Sequence, residues 1–114
     1  MNELLAKAFD FGIRIVELSN YLDEEKKQFP LIERLLECGT SIGVHLRISK
    51  EYAKNQTGSY VTAYELSLET EYLLELLVKT GFLHENQSIP ILNDCKLIKD
   101  ETAKLLTKNQ IRSE

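Results

Sequence analysis

The residues best placed to do chemistry are two histidines, two cysteines and a short cationic run. His45, Arg47, Lys50 and Lys54 follow one another near the end of a helical pattern. Such a group could face an anionic ligand or a partner surface. His45 is also at home as a satisfied histidine on a helix or subunit boundary. Cys38 and His45 would make a nucleophile–base pair only if their side chains met. Seven residues are two helical turns, about 10 Å along the axis, which is too far for a direct hydrogen bond. Neither His45 nor His84 has a glutamate three residues before it, as an inward Glu-x-x-His metal motif requires. There is no HExxH, no Cys-His cluster, no Walker loop and no GxGxxG. These residues predict no catalytic site, no metal and no cofactor, and the chain reads as a non-enzyme. Cys38 and Cys95 are far apart and outside any CxxC pattern, so they are expected as free thiols near the core.

Helices must position these groups. The apolar or small residues Ile32, Leu35, Leu36, Gly39, Ile42, Gly43 and Leu46 recur at steps of three, one, three, three, one and three. This is one helical stripe. Glycine inside a helix costs roughly 1 kcal/mol relative to alanine, so Gly39 and Gly43 on a buried face point to a helix backbone passing close by. Gly12, on the first helix, offers the matching small position. Together the three predict an approach of the first two helices near about 8 Å, the short end of normal packing.

Four helical patterns divide the 114 residues, at about 2–22, 30–53, 59–80 and 89–108. Asn2 is a candidate N-cap, and Pro30 and Pro90 suit first turns, where a missing N–H costs nothing. Ser88 is the expected N-cap of the fourth helix, and residues 54–58 read as a connector. Gly81 sits where a left-handed C-terminal cap belongs, with Phe82 and Leu83 folding back onto it. Residues 109–114 are expected to fray. Short connections make successive helices antiparallel neighbours. The expected architecture is all-α, a single up-down-up-down four-helix bundle.

The inner face of the first helix is read as Leu5, Ala8, Phe9, Gly12, Ile15, Val16, Ser19 and Leu22, leaving Phe11 and Ile13 off the stripe. On the third helix Val61, Tyr64, Ser67, Leu68, Glu71, Leu74 and Val78 are read as one inner face, and Tyr60, Leu66, Leu73, Leu76 and Leu77 widen the apolar surface almost all round. Such surplus apolar surface in a small bundle predicts a subunit contact. Glu71 falls on the inner stripe of the third helix and needs a partner, for which Arg14, Arg34 or the Thr40 and Ser41 hydroxyls are candidates.

The net charge of −4 argues against a dedicated nucleic-acid binder. Charge is uneven: residues 65–85 carry Glu65, Glu69, Glu71, Glu75 and Glu85 against Lys79, whereas residues 45–60 carry Arg47, Lys50 and Lys54 against Glu51. No apolar run approaches the roughly 18–20 residues of a membrane span, and the N-terminal residues carry acids in a helical period, unlike a secretory signal. The expected location is the cytoplasm, with no membrane partner.

Several blocks resemble one family. They are FDFGIRIVELSNYL in the first helix, Gly-Thr-Ser-Ile-Gly at 39–43, Glu69-Thr70, the run Tyr72-Leu73-Leu74-Glu75-Leu76-Leu77, and Thr80-Gly81-Phe82-Leu83. Together they resemble the bacterial 23S rRNA intervening-sequence proteins, or S23 family, over nearly the whole chain. The resemblance implies a four-helix bundle assembled as a ring-like homopentamer, acting as an assembly or accessory protein. The family includes the accessory protein of diversity-generating retroelements, which binds a reverse transcriptase and nucleic acid. This makes a nucleic-acid-binding partner of a reverse transcriptase or RNA the alternative reading. The chain departs from the family pattern at His45, Leu46, Arg47 and Ile48, where Asn and then Ile-Ala-Glu are usual, and at Leu66 and Leu68, where charge is common. It is also acidic where the retroelement proteins are basic.

Overall fold

The computed structural model describes residues 2–52 and 56–113, excepting the side chains of 2 and 109–113. Four helices run in chain order: α1 (Asn2–Glu24), α2 (Ile32–Glu51), α3 (Gln56–Lys79) and α4 (Glu85–Ser113). No strand occurs among the described residues. Each helix packs on its neighbour in sequence, and α4 returns against α1, while among the described residues no diagonal pair brings its backbones close together. The ion pairs give the directions. Lys7 early in α1 meets Glu101 late in α4 at 3.0 Å, and Arg14 further along α1 meets Asp94 at 2.9 Å. The loop after α1 and the loop after α3 lie at the same end, where Phe29 and Phe82 stack edge-to-face with centroids 5.3 Å apart. This is an up-down-up-down four-helix bundle, 50 × 22 × 21 Å in extent.

The helix ends show why the chain stops and starts where it does. α1 runs two residues beyond the expected Leu22. It closes with Lys27 N–H on the Leu22 carbonyl at 2.8 Å and Lys26 N–H on that of Asp23 at 3.0 Å. Lys26 takes the left-handed conformation, φ 56°, that glycine would adopt more cheaply. The same closure ends α3, with Gly81 at φ 87° and Phe82 N–H reaching the Leu77 carbonyl at 3.1 Å.

Five boundary expectations are corrected. Gln56, Thr57 and Gly58 belong to α3 and are not connector. The Gln56 side-chain amide donates to the Ser49 carbonyl at 3.2 Å, tying the start of α3 to the end of α2. Ser88 is not the N-cap of α4. The helix begins at Glu85, and Gln87 accepts from the His84 N–H at 3.3 Å, as the third residue of a capping box does. Ser88 is buried and turns its hydroxyl back to the Glu85 carbonyl at 2.7 Å. Pro90 therefore lies inside α4, beyond its first turn. Pro30 likewise precedes α2, which starts at Ile32. The fourth helix does not end at 108 but continues to Ser113. Ala53, the expected end of the second helix, lies outside the described residues.

In α1 the buried stripe is Leu4, Ala8, Phe11, Ile15, Leu18 and Leu22, a heptad-like spacing of alternating four and three. The expected inner residues Phe9 and Val16 point out, and Phe11, expected off the stripe, is 1% exposed against 58% for Phe9. Two apolar stripes interleave on α1 and share Ala8, Ile15 and Leu22, so periodicity supports either register. The bundle chooses the one that includes Leu4 and Leu18. α3 is rotated in the same sense: Val61 and Leu68, expected inside, are exposed, and Ala63, Thr70, Leu73 and Leu77 are buried. α4 buries Ile91, Cys95, Ile98 and Thr102, as its period predicts.

Glu71 finds its partner in none of the candidates named from sequence. Lys99 of α4 donates to both its carboxylate oxygens, at 3.2 and 3.3 Å. Both side chains are largely buried, so the pair fixes how α3 and α4 meet, and loss of either member would strand a charge. Burial works against the lysine's charge, but the Glu71 hydrogen bond and its negative charge together raise the Lys99 pKa. Arg14 is engaged by Asp94, and Arg34 makes a two-point contact with Glu69 at 3.2 and 3.3 Å.

Candidate surface for assembly

The seam between α1 and α2 is narrow where buried Gly39 and half-buried Gly43 lie. A Cβ built on Gly39 would stand 3.0 Å from a side-chain carbon of Ile15, and one on Gly43 would lie 3.5 Å from the Ala8 carbonyl oxygen. Gly39 leaves room for an isoleucine, and Gly43 lets the α1 backbone approach. Gly12 does neither. A Cβ there would meet nothing within 4 Å, which corrects the expectation that it matches Gly39 and Gly43 inside the seam.

Gly12 opens instead onto an apolar groove of about 640 Å³ along the outside of the same helices. Phe9, Ile13 and Val16 of α1 form one wall, and Val44 and Ile48 of α2 the other. All five are exposed, Phe9 by 58% and Val44 by 54%. Side chains absent at Gly12 and Gly43 hollow its floor. Charge stands at the margin: Glu17 on α1, Arg47 and Glu51 on α2. The Arg47 guanidinium lies over the Phe9 ring, 5.8 Å from its centroid, within the range of cation–π attraction.

The candidate residues from the sequence are not one patch. Residues 45 and 47 differ by about 200° around a helix of 3.6 residues per turn, so His45 and Arg47 leave α2 in opposite directions. Arg47 lines the groove; half-buried His45 and exposed Lys50 do not. Lys54 lies outside the described residues. Four other cations are occupied: Lys7, Arg14, Arg34 and Lys99 all pair with carboxylates on neighbouring helices. The groove residues Phe9, Ile13 and Val44 are what inspection for charged or reactive groups passes over. Their signal was the surplus of apolar positions on the first helix.

The thiols are free and buried. Thr70 donates to Cys38 Sγ at 3.1 Å, and Cys95 Sγ donates to the Ser67 carbonyl at 3.4 Å. Burial pushes the Cys95 pKa up to about 12 and raises that of Cys38 as well. A thiol so held is almost all protonated near neutrality and is a poor nucleophile. No cluster of three or more His, Cys, Asp or Glu side chains suited to a metal exists among the described residues. Among the same residues no helix is long and apolar enough to cross a membrane.

No protein-family model matches the chain, and no curated protein matches it significantly. A solved structure does. It is a protein with unknown function from the S23 ribosomal protein family of Bacteroides thetaiotaomicron, similar with a TM-score of 0.86 and 30% sequence identity. The match covers 90% of this chain and 97% of that one. Its breadth spans all four helices rather than one shared hairpin. With the four-helix order and the glycine seam in place, the conclusion is that the chain belongs to the S23 ribosomal protein family.

Proposed function

We propose that this protein is a non-catalytic bundle that associates with copies of itself and serves in the cytoplasm as an assembly or accessory protein. The observation that carries the proposal is the α1/α2 groove, an exposed apolar surface as continuous as the core stripe beside it. Phenylalanine, isoleucine and valine side chains on a folded surface cost free energy until they are covered, roughly 25 cal/mol per Å² of apolar area. Contiguous exposed patches of this kind mark interaction sites. A ring of five is the order of assembly that the S23 resemblance implies. The buried, protonated thiols and the divergence of His45 from Arg47 support the non-catalytic part of the reading.

Light scattering on the size-exclusion eluate tests it. At micromolar concentration the protein is expected to elute as an oligomer of defined mass, near five times 13.1 kDa. A clean monomer would overturn the proposal. Phe9→Asp is expected to yield a monomer that keeps the helical circular dichroism and a cooperative melt.

A further inference from the structure

Successive turns of α4 face different neighbours. The Cys95 thiol donates to the Ser67 carbonyl of α3. Ile98, one turn on and only 1% exposed, borders a cleft of about 160 Å³ between α4 and α1. A second cleft, of about 350 Å³, lies between Leu18 and Tyr21 of α1 and Pro90 and Ile91 of α4. Arg14 lines both clefts, and its ion pair with Asp94 stands where they meet. The backbones of α1 and α4 also come close at fewer places than those of the other neighbouring helices. We infer that the α1/α4 seam is the one at which the folded bundle opens, with Arg14–Asp94 and Lys7–Glu101 as its latch.

The ties across each seam differ in kind. α2 and α3 share a buried hydrogen bond, from the Thr70 hydroxyl to Cys38 Sγ, beneath the surface pair of Arg34 and Glu69. α3 and α4 share the Cys95–Ser67 bond and the Lys99–Glu71 pair, whose side chains are only 21% and 15% exposed. α1 and α2 are joined by close packing at Gly39 and Gly43. Between α1 and α4, among the described residues, the polar ties all reach solvent. They are the two ion pairs, with side chains exposed by between 30% and 49%, and a 3.4 Å hydrogen bond from the Gln87 amide to the Tyr21 hydroxyl. Exposed ion pairs contribute little and are screened by salt, whereas buried ones are screened much less. Pro90 loosens the seam further. It has no N–H to donate, so α4 lacks one helical hydrogen bond where it borders the second cleft. Parting α1 from α4 along the two clefts uncovers Ile91 and Ile98 and leaves Cys38 and Cys95 covered by α3.

The two native thiols, both buried, serve as internal controls for a labelling experiment. Ile98→Cys places a thiol behind the seam, and Ile91→Cys does so at the second cleft should the first variant fold poorly. Each is treated with a maleimide at low and at high sodium chloride, and mass spectrometry reads which cysteine is modified. The added thiol is expected to react about two- to tenfold faster at high salt, the range that weakening two exposed ion pairs allows. Cys38 and Cys95 are expected to stay unlabelled over the same time. Asp94→Asn, added to either variant, is expected to reproduce part of the acceleration at low salt and to reduce the response to further salt. Labelling that does not respond to salt or to Asp94→Asn would overturn the latch. An added thiol that never reacts in the folded protein would overturn the opening itself. Native thiols labelled in step with the added one would overturn the choice of seam, because the bundle would then be unfolding as a whole.

Discussion

The seam between α1 and α2 and the groove outside it are built by the same two helices from the same kinds of residue, yet only the seam is filled. Inside, Ile15 fills the space that Gly39 leaves, and the backbone at Ala8 comes up against Gly43. Outside, Gly12 meets nothing within 4 Å, and Phe9, Ile13 and Val44 stand open. Glycine thus plays two parts on facing helices. At Gly39 it is required by close packing, and at Gly12 it keeps a surface hollow. The lesson is that an apolar stripe with a glycine in it does not say what will cover it. The core stripe is closed by the chain itself, with no orphaned polar side-chain atom left in the buried regions described. The second stripe is left open by the chain.

The largest effect is expected where the seam is tightest. Gly39→Leu forces a branched side chain into space held by Ile15, where even a Cβ stands at 3.0 Å. Overpacking of this kind costs about 1–3 kcal/mol or more. At roughly 4 °C or more per kcal/mol for a domain of about this size, melting should drop by 10 °C or so, if the variant folds at all. An unchanged melting temperature by circular dichroism would mean that the seam is looser than drawn.

Ile13→Asp on the groove side should do the reverse. The charge is placed on an exposed position, so monomer stability should move by about 0.5 kcal/mol or less, while the oligomer is lost in sedimentation velocity. If Ile13→Asp assembled normally, the contrast between filled seam and open groove would lose its functional meaning.

The interior can also be probed through pH. The Cys95 thiol is raised to about 12 in the folded chain, against about 8.5 for a free cysteine. Above the unfolded value the unfolded chain has released a proton that the native chain retains. The thiol's contribution to stability is therefore complete below about pH 8.5 and falls as pH rises toward 12, at up to roughly 1.4 kcal/mol per pH unit. Denaturant titrations at pH 8 and 10 should show a steeper loss in the parent protein than in Cys95→Ala. Equal slopes would show that Cys95 is less sequestered than its contacts imply. In keeping with this, neither thiol should react with a disulfide reagent at pH 8 until the bundle is unfolded.

The smallest effect separates the two glycine roles. Gly12→Ala adds a methyl group in open space and should stabilise the monomer by about 0.5–1 kcal/mol through helix propensity. Filling the hollow should at the same time weaken self-association in a dilution series. Gly43→Ala meets Ala8 only at ordinary contact distance, 3.5 Å, and should leave melting within a few degrees. A Gly12→Ala variant that both melts lower and assembles unchanged would reverse the assignment of the two glycines.

The sequence by itself determined the number and order of helices, the α2 and α4 core faces and the Gly81 cap. Each is a local consequence of 3.6-residue periodicity or of a left-handed residue that glycine accommodates cheaply. It also showed that α1 and α3 hold more apolar residues than one face can bury. Only the tertiary structure decided which stripe on α1 went inside, because Phe9 and Phe11 are equally apolar and a period allows both registers until neighbouring helices choose. The choice of Lys99 for Glu71, over the arginines, was likewise made by helix placement, which no spacing within one helix encodes. So was the fate of the cationic run. His45 diverges on the helix from Arg47 and Lys50, and of the three only Arg47 lines the groove. The three glycines, alike in one dimension, part company for the same reason: a missing Cβ gains its meaning from what stands opposite it, which is a property of the assembled bundle.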